Sequence, residues 1–275
     1  MPKPHPEAPA NQAGHGGRGS LSAQRARHQA IAEAVIKRGA IKVDDLAAAT
    51  GVSMMTIYRD VAALEEAGIV QRQRGQVLAV ASSLQEAAAG FRLEQNAEVK
   101  AAMAAVLAPL VRPGSSIILD DSTSGVWLLR ALEEVSPLTV VTNSLLVAQE
   151  VERRDDLRLI VAGGEYQPWA QALMGPTTVA TIQAVHAELC VLSASGIVDG
   201  QCMHPYEDVV SVKKAMLAAA STKVLMLDHT KFKRQALHSF ARLEDFDIIV
   251  VDAETPVQTR NWLEDLGVTV LVSGI

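Results

Sequence analysis

Two cysteines in 275 residues, Cys190 and Cys202, are too few for a disulfide framework, and they lack metal-ligand spacing. Aromatic residues are scarce as well, at 4% of the chain. The core must therefore be built from Val, Leu, Ile and Ala, for which a hydrophobic content of 49% is ample. No run of about 18 uncharged apolar residues occurs, so the sequence offers no membrane helix. The first twenty residues, MPKPHPEAPANQAGHGGRGS, lack the apolar segment of a secretory signal, and their Pro, Gly and His content reads as a disordered arm. A reducing, cytoplasmic setting is the expectation, with no cofactor and no metal.

Charge is unevenly placed. Residues 1–80 hold 10 Lys/Arg against 7 Asp/Glu, a net of +3, whereas the rest of the chain holds 15 against 24, a net of −9. Attraction for phosphates is thus concentrated in the N-terminal part. There, two short amphipathic helix patterns flank a tight Gly51-Val52-Ser53 turn. The first starts near Asp44 or Asp45 and turns Leu46 and Ala47 inward, with Ala48 and Ala49 leaving room for a close crossing. Gly51 supplies a left-handed turn position, and Ser53 is a good N-cap for the next helix. In that helix Ile57, Val61 and Leu64 form an apolar stripe. Ser53, Met55, Thr56, Tyr58 and Arg59 stand early in it, where recognition helices meet base edges and phosphates. An earlier helix over about 22–38 has Ile31, Val35 and Ile36 as its apolar face. A hairpin over 69–78 follows, its basic tip carrying Arg72 and Arg74. This is the pattern of a winged helix-turn-helix, predicted over 21–80, with duplex DNA as partner.

Along this stretch the chain resembles the DeoR-type bacterial transcriptional regulators. The matching positions include Gly39, Ile41, Leu46-Ala47, Val52-Ser53, Thr56-Ile57, Arg59-Asp60, Leu64-Glu65, Gly68 and Arg72. Tyr58 stands where that family usually has a second Arg.

After a linker over 81–97, the region 98–275 alternates helix patterns with short continuous apolar runs at 116–119, 138–141, 157–161, 189–192, 223–227, 248–251 and 268–272. Uninterrupted runs of this kind are expected for strands buried on both faces of a mainly parallel sheet, and so predict an α/β domain. Small polar residues follow the runs: Asp120-Asp121-Ser122-Thr123-Ser124-Gly125, Thr142-Asn143-Ser144, Gly163-Gly164, Ser193-Ala194-Ser195-Gly196 and Asp228-His229-Thr230-Lys231. In an open parallel sheet, ligands bind at the carboxyl ends of the strands, and such loops offer hydroxyls and free amides to an anion. The loop beginning at Ser122 is the best phosphate cradle.

The same segments extend the DeoR resemblance to about residues 25–253. They look like the family's sensor domain, a relative of the ribose-5-phosphate isomerase and CoA-transferase fold that binds phosphorylated sugars. By that resemblance Thr123 and Ser124 hold a phosphate, Asp120 and Asn143 face sugar hydroxyls, and Lys231 adds charge at the mouth. Ser122, Thr142, Gly163, Gly164, Ser195 and Gly196 complete the expected effector site. The chain departs from the family at Gly125, Glu188 and His229.

The rival reading is a sugar-phosphate isomerase, with Glu165 and Asp120 as candidate bases. A hydrolase built on Ser122, His229 and Asp228 is disfavoured, because Asp228 adjoins His229 in sequence and no GxSxG elbow occurs. The expectation is an effector-controlled regulator, a repressor by family habit, reading repeated half-sites as a homodimer or homotetramer.

Overall fold

The computed structural model describes residues 17–79 and 86–274; most of the expected N-terminal arm, residues 80–85 and the side chain of Ile36 lie outside the described residues. Helix α1 (Gly17–Arg38) begins before the expected start near residue 22 and takes in the end of the stretch read as a disordered arm. It leads into β1 (Ala40–Lys42), α2 (Val43–Thr50) and α3 (Met54–Glu66). Gly51 ends α2 at φ 68°, a left-handed position suited to glycine, and the Ser53 hydroxyl caps α3 by accepting from the Thr56 amide at 3.2 Å. Ile57, Val61 and Leu64 are fully buried against Ile31, Val35 and Leu46. Ala48 and Ala49 were expected at a helix crossing but are exposed on the outer side of α2. Strands β2 (Val70–Gln73) and β3 (Gln76–Ala79) join through Arg74 and Gly75, both at positive φ (50° and 78°), the geometry of a tight hairpin turn. β1 pairs with β3, giving a three-stranded wing of order β1-β3-β2.

One buried charge holds this unit together. Asp60, 1% exposed, accepts from Arg27 Nε at 2.5 Å and faces His28 Nε2 at 3.0 Å, pinning α1 to the recognition helix α3. Burial pushes its pKa up, but the Arg27 and His28 contacts outweigh this and leave it below the usual carboxylate range.

Residues 86–96, within the stretch expected as a linker, are packed rather than loose. They include the short helix α4 (Ala89–Glu94) and lead into α5 (Ala97–Leu107). Beyond them comes a doubly wound domain: β4 (Ser116–Leu119), α6 (Thr123–Ala131), β5 (Leu138–Thr142), α7 (Leu145–Glu152) and β6 (Leu157–Val161). A hairpin of β7 (Glu165–Gln167) and β8 (Ala172–Met174) follows, then α8 (Pro176–Gln183) and β9 (Ala187–Leu192). Strands β10 (Gly196–Val198) and β11 (Gln201–His204) precede α9 (Glu207–Ala218) and β12 (Ala220–Leu227). The chain closes with β13 (His238–Arg242), β14 (Ile248–Val251), α10 (Val257–Asp265) and β15 (Thr269–Val272).

All seven runs read as strands lie in one parallel sheet of order β15-β14-β12-β9-β4-β5-β6. Alternate residues feed two cores. Ile117 and Leu119 of β4 pack with Met103, Leu107 and Leu128 on one face, and Ile118 packs with Ile182, Val212 and Met216 on the other. The order of strands reverses between β4 and β9, so the loops leaving these two strands diverge and open a crevice there. A small antiparallel sheet, β10-β11-β13, lies beyond the end of β9.

Asp60→Asn is expected to cost the folded chain about 2 kcal/mol at pH 7, because it unpairs Arg27 and His28. Since the native carboxyl has a depressed pKa, its stabilisation is complete above the unfolded value and fades as pH falls through the folded one. Urea denaturation at pH 7 and pH 3 should therefore show a variant deficit that shrinks in acid. A deficit independent of pH would contradict the ionic role.

Candidate functional site

A cavity of about 480 Å³ opens at the crevice between β4 and β9. Its floor begins with Asp120, which is fully buried. One carboxylate oxygen accepts from the Ser122 amide (2.9 Å); the other accepts from the Ser193 amide (3.1 Å) and pairs with Lys213 Nζ. Asp120 thereby ties the ends of the two central strands together from beneath. Lys213 also donates to Ser193 O at 3.0 Å and lies 3.7 Å from Asp121. Burial works against its charge, yet the two aspartates raise its pKa above the usual lysine value.

Above this floor, Ser122, Thr123 and Ser124 line the cavity where α6 starts. The Ser122 side chain makes no capping bond, which leaves the first-turn amides of α6 without a side-chain partner. Ser193, Ala194 and Ser195 approach from β9, and Asp228, Thr230, Lys231 and Arg234 from the segment after β12. Gly196 makes that last approach possible: a Cβ there would stand 2.2 Å from the Arg234 carbonyl oxygen. His204, with Trp169 and Tyr206, forms an aromatic cluster at the cavity wall. Burial pushes the His204 pKa down to about 3, so the ring is neutral, and its Nδ1 accepts from the Tyr206 amide at 3.2 Å.

The remaining wall comes from the segment expected as a linker. Glu86 is 6% exposed, bonded to the Ser195 hydroxyl and 3.4 Å from both terminal nitrogens of Arg234. Arg92 lies over Trp169 and 3.7 Å from Asp121, and its Nη2 is buried without a hydrogen-bond acceptor. Lys100 donates to the carbonyls of Arg92 and Gln95, the latter at 2.7 Å. Desolvation, reinforced by Lys231 and Arg92, lowers its pKa to about 7. Lys231 is likewise lowered, first by burial, against the pull of Asp228 and Glu86.

Of the residues expected to meet an effector, Ser122, Thr123, Ser124, Ser195 and Lys231 share this cavity, while Asp120 supports its floor. Thr142, Asn143, Gly163 and Gly164 stand elsewhere. Thr142 Oγ1 accepts from the Ser144 amide (3.0 Å), and Asn143 Nδ2 donates to Leu173 O (2.9 Å) in β8. Gly163 O accepts from Thr178 (2.6 Å), and a Cβ on Gly164 would meet the same hydroxyl at 2.1 Å. Asn143, Gly163 and Gly164 fasten the β7–β8 hairpin and α8 to the sheet, and Thr142 shapes the turn that leaves β5. Glu165 is exposed on β7. His229 Nδ1 faces Asp252 at 2.7 Å, and Asp228 accepts from the Thr230 amide at 3.0 Å, so the two do not form a relay to Ser122. Sequence reasoning missed Glu86, Arg92, Lys100 and Arg234 because they belong to no strand-end motif.

The second face of interest is α3. Met55 (70% exposed), Tyr58 and Arg59 project from its first turns, with Ser53 at the start and Thr56 half-buried beneath. Arg74 stands exposed at the wing tip. Arg72 is engaged within the unit: its Nε donates to Glu65 at 2.7 Å, and its guanidinium lies 6.0 Å from the Tyr58 ring centre. It links wing to recognition helix.

Residues 27–83 match the DeoR-like helix-turn-helix domain, and residues 95–253, more than half of the chain, match the DeoR C terminal sensor domain. The chain belongs to the DeoR family. Its members are DNA-binding transcriptional regulators rather than enzymes, and so is this chain. It is 30% identical to the glycerol-3-phosphate regulon repressor of Escherichia coli K12, over 88% of this chain and 96% of that protein. It is also 30% identical to the transcriptional repressor AccR of Agrobacterium fabrum, over 74% and 80% respectively. Among solved structures, ribose 5-phosphate isomerase A from Methanocaldococcus jannaschii aligns with 50% of this chain and 55% of its own, at 14% identity and a TM-score of 0.36.

The lowered pKa of Lys100 has a measurable sign. Between about pH 7 and the usual lysine value near 10.5, the unfolded chain holds a proton that the folded chain has released, so stability rises with pH across that window. Relative to Lys100→Met, the wild-type chain should gain about 2 kcal/mol between pH 7 and pH 9 in chemical denaturation. A difference that stays constant over this range would show that the amine is charged throughout.

Proposed function

We propose that the chain represses an operon of carbohydrate or polyol-phosphate metabolism, and that a small phosphorylated metabolite bound in the β4–β9 cavity controls it. The observation that carries this reading is the meeting, at one strand-order reversal, of the uncapped start of α6, the Thr123 and Ser124 hydroxyls, and the cations Lys231, Arg92 and Arg234. Helix N-termini and basic groups are the standard recognition chemistry for a phosphate monoester. A curated relative named as a glycerol-3-phosphate regulon repressor favours the same class of ligand.

On the DNA side, Ser53, Met55, Thr56, Tyr58 and Arg59 enter the major groove, with Arg74 on the flanking phosphates. Arg72 acts by orienting Tyr58 and the wing, and any contact of its own comes from its exposed edge. A homodimer or homotetramer in the cytoplasm supplies the repeated half-sites, because a single recognition helix gives little discrimination.

A thermal-shift panel that includes sn-glycerol 3-phosphate and phosphorylated sugars tests the cavity. A ligand at about 100 times its Kd contributes about 2.7 kcal/mol, which raises Tm by roughly 5 °C for a chain of this size. Thr123→Ala combined with Ser124→Ala should remove that shift while leaving operator binding of the ligand-free chain intact. A panel with no shift from any phosphorylated compound would overturn the effector reading. For the DNA face, Arg59→Ala should weaken operator binding by about 1–3 kcal/mol in fluorescence anisotropy. Unchanged affinity would remove α3 from the groove.

A further inference from the structure

The cavity already contains an anion of its own chain. Glu86 places a carboxylate between the Ser195 hydroxyl and the Arg234 guanidinium, inside the space where a phosphate would have to find its counter-charges. Burial opposes its ionisation, but Arg234, Lys231 and Arg92, helped by the Ser195 hydroxyl, hold it charged and far below the usual carboxylate range. The three cations that stabilise Glu86 all line the cavity, where an anionic effector would draw on the same charges.

Glu86 is also the first described residue of a strap that grips both halves of the molecule. Its amide donates to Tyr206 Oη at 3.4 Å in the sensor domain. Two residues on, the Ala88 amide donates to the carbonyl of Ala67 (3.1 Å), the C-cap of the recognition helix, and the Ala89 amide donates to Trp169 O (2.7 Å). Ala87 and Phe91 pack against the winged-helix core of Ile31, Ile57 and Leu64. Arg92 closes the strap on itself by donating from Nε to Ala87 O at 3.0 Å. A displacement that takes the Glu86 backbone with it is passed on to Ala87 and Ala88, because consecutive Cα atoms are only 3.8 Å apart.

We propose that Glu86 is an internal occupant of the effector cavity, which an anionic effector must displace, and that this displacement is what carries the signal along the strap to the recognition helix. The inference rests on the effector reading above and specifies how that site is regulated. It also specifies the ligand: a group anionic enough to take Arg234 and Lys231 from a carboxylate, such as a phosphate monoester, and not a neutral sugar. Thermodynamically, the occupied and displaced strap positions are the two states, and the ligand has different affinity for them because one has its counter-charges already taken.

Inorganic phosphate, titrated by calorimetry at constant ionic strength into the full chain, is the probe. Glu86→Gln, which keeps the shape and removes the charge, should bind phosphate about tenfold tighter than wild type. Glu86→Asp, which keeps the charge, should stay within a few-fold of wild type and guards against a fold defect in the neutral variant. Phosphate-free Glu86→Gln should also shift affinity for a retained promoter fragment in the same direction as phosphate shifts the wild-type chain. Equal or weaker phosphate binding by Glu86→Gln would overturn the displacement and leave the effector cavity standing, with Glu86 as a ligand or a plain anchor. Absence of phosphate binding in all three proteins would overturn both.

Discussion

The structure depends on one arrangement of buried charge, the Lys213–Asp120 pair under the crevice. Both groups are almost completely shielded from water, and a buried ion is tolerated only where partners and hydrogen bonds replace its hydration. Asp120 meets that requirement with the Ser122 and Ser193 amides, and Lys213 with Ser193 O and Asp121. In doing so, the pair fixes the ends of β4 and β9 relative to each other and sets the direction in which α6 begins. The cradle of Ser122, Thr123 and Ser124 is thus held from beneath by Asp120, with Lys213 reaching the cavity wall beside it. Removing Lys213 would leave Asp120 buried without a cation, and removing Asp120 would leave Lys213 only the more distant Asp121, so this is the position where the site is least able to drift.

Compensation of charge also explains why the domain does not end at its own sheet. Arg234 on the β12 side pairs with Glu86 from the strap, which together with Asp228 also offsets the charge of Lys231. An acidic sensor body and a basic winged head are therefore joined by a segment whose own carboxylate belongs to the sensor's pocket and whose next residues belong to the head's core. The cavity and the DNA-binding unit thus share a physical element rather than merely a polypeptide. Within the head, the Asp60 contacts with Arg27 and His28 tie α3 to α1 through the buried carboxylate.

Much of this was legible in the residues alone. Runs such as 116–119 and 248–251 coincide with the ends of β4 and β14, because strands buried on both faces carry no polar interruptions, and 157–161 matches the edge strand β6 although Arg158 interrupts it. β9 and β12 begin earlier than their apolar runs, where Glu188 and Ser221 are exposed near the sheet margin and blur the pattern. β1, β10, β11 and β13 escaped, being three to five residues long, and β1 and β13 depend on partners distant in the chain. The Gly51 turn and the Ser53 cap were readable because each is a local backbone requirement. Strand-end loops announced the cavity, yet Thr142, Asn143 and the Gly163-Gly164 pair carry the same polar, small character for a packing purpose. Lys213 did leave a signal: it interrupts an α9 face on which Val209, Val212 and Met216 are all buried. Glu86 and Arg234 left none, since their meeting across 148 residues is decided by tertiary packing.

On the proposed reading, anion binding in the cavity and duplex binding at α3 are two ends of one equilibrium. Linkage requires that each ligand change the affinity of the other by the same factor. The decisive measurement is therefore a pair of titrations at fixed ionic strength: operator DNA with and without saturating sn-glycerol 3-phosphate, and sn-glycerol 3-phosphate with and without saturating operator. The account expects two equal shifts of at least several-fold. A phosphate ester that binds the cavity while leaving operator affinity unmoved would contradict it.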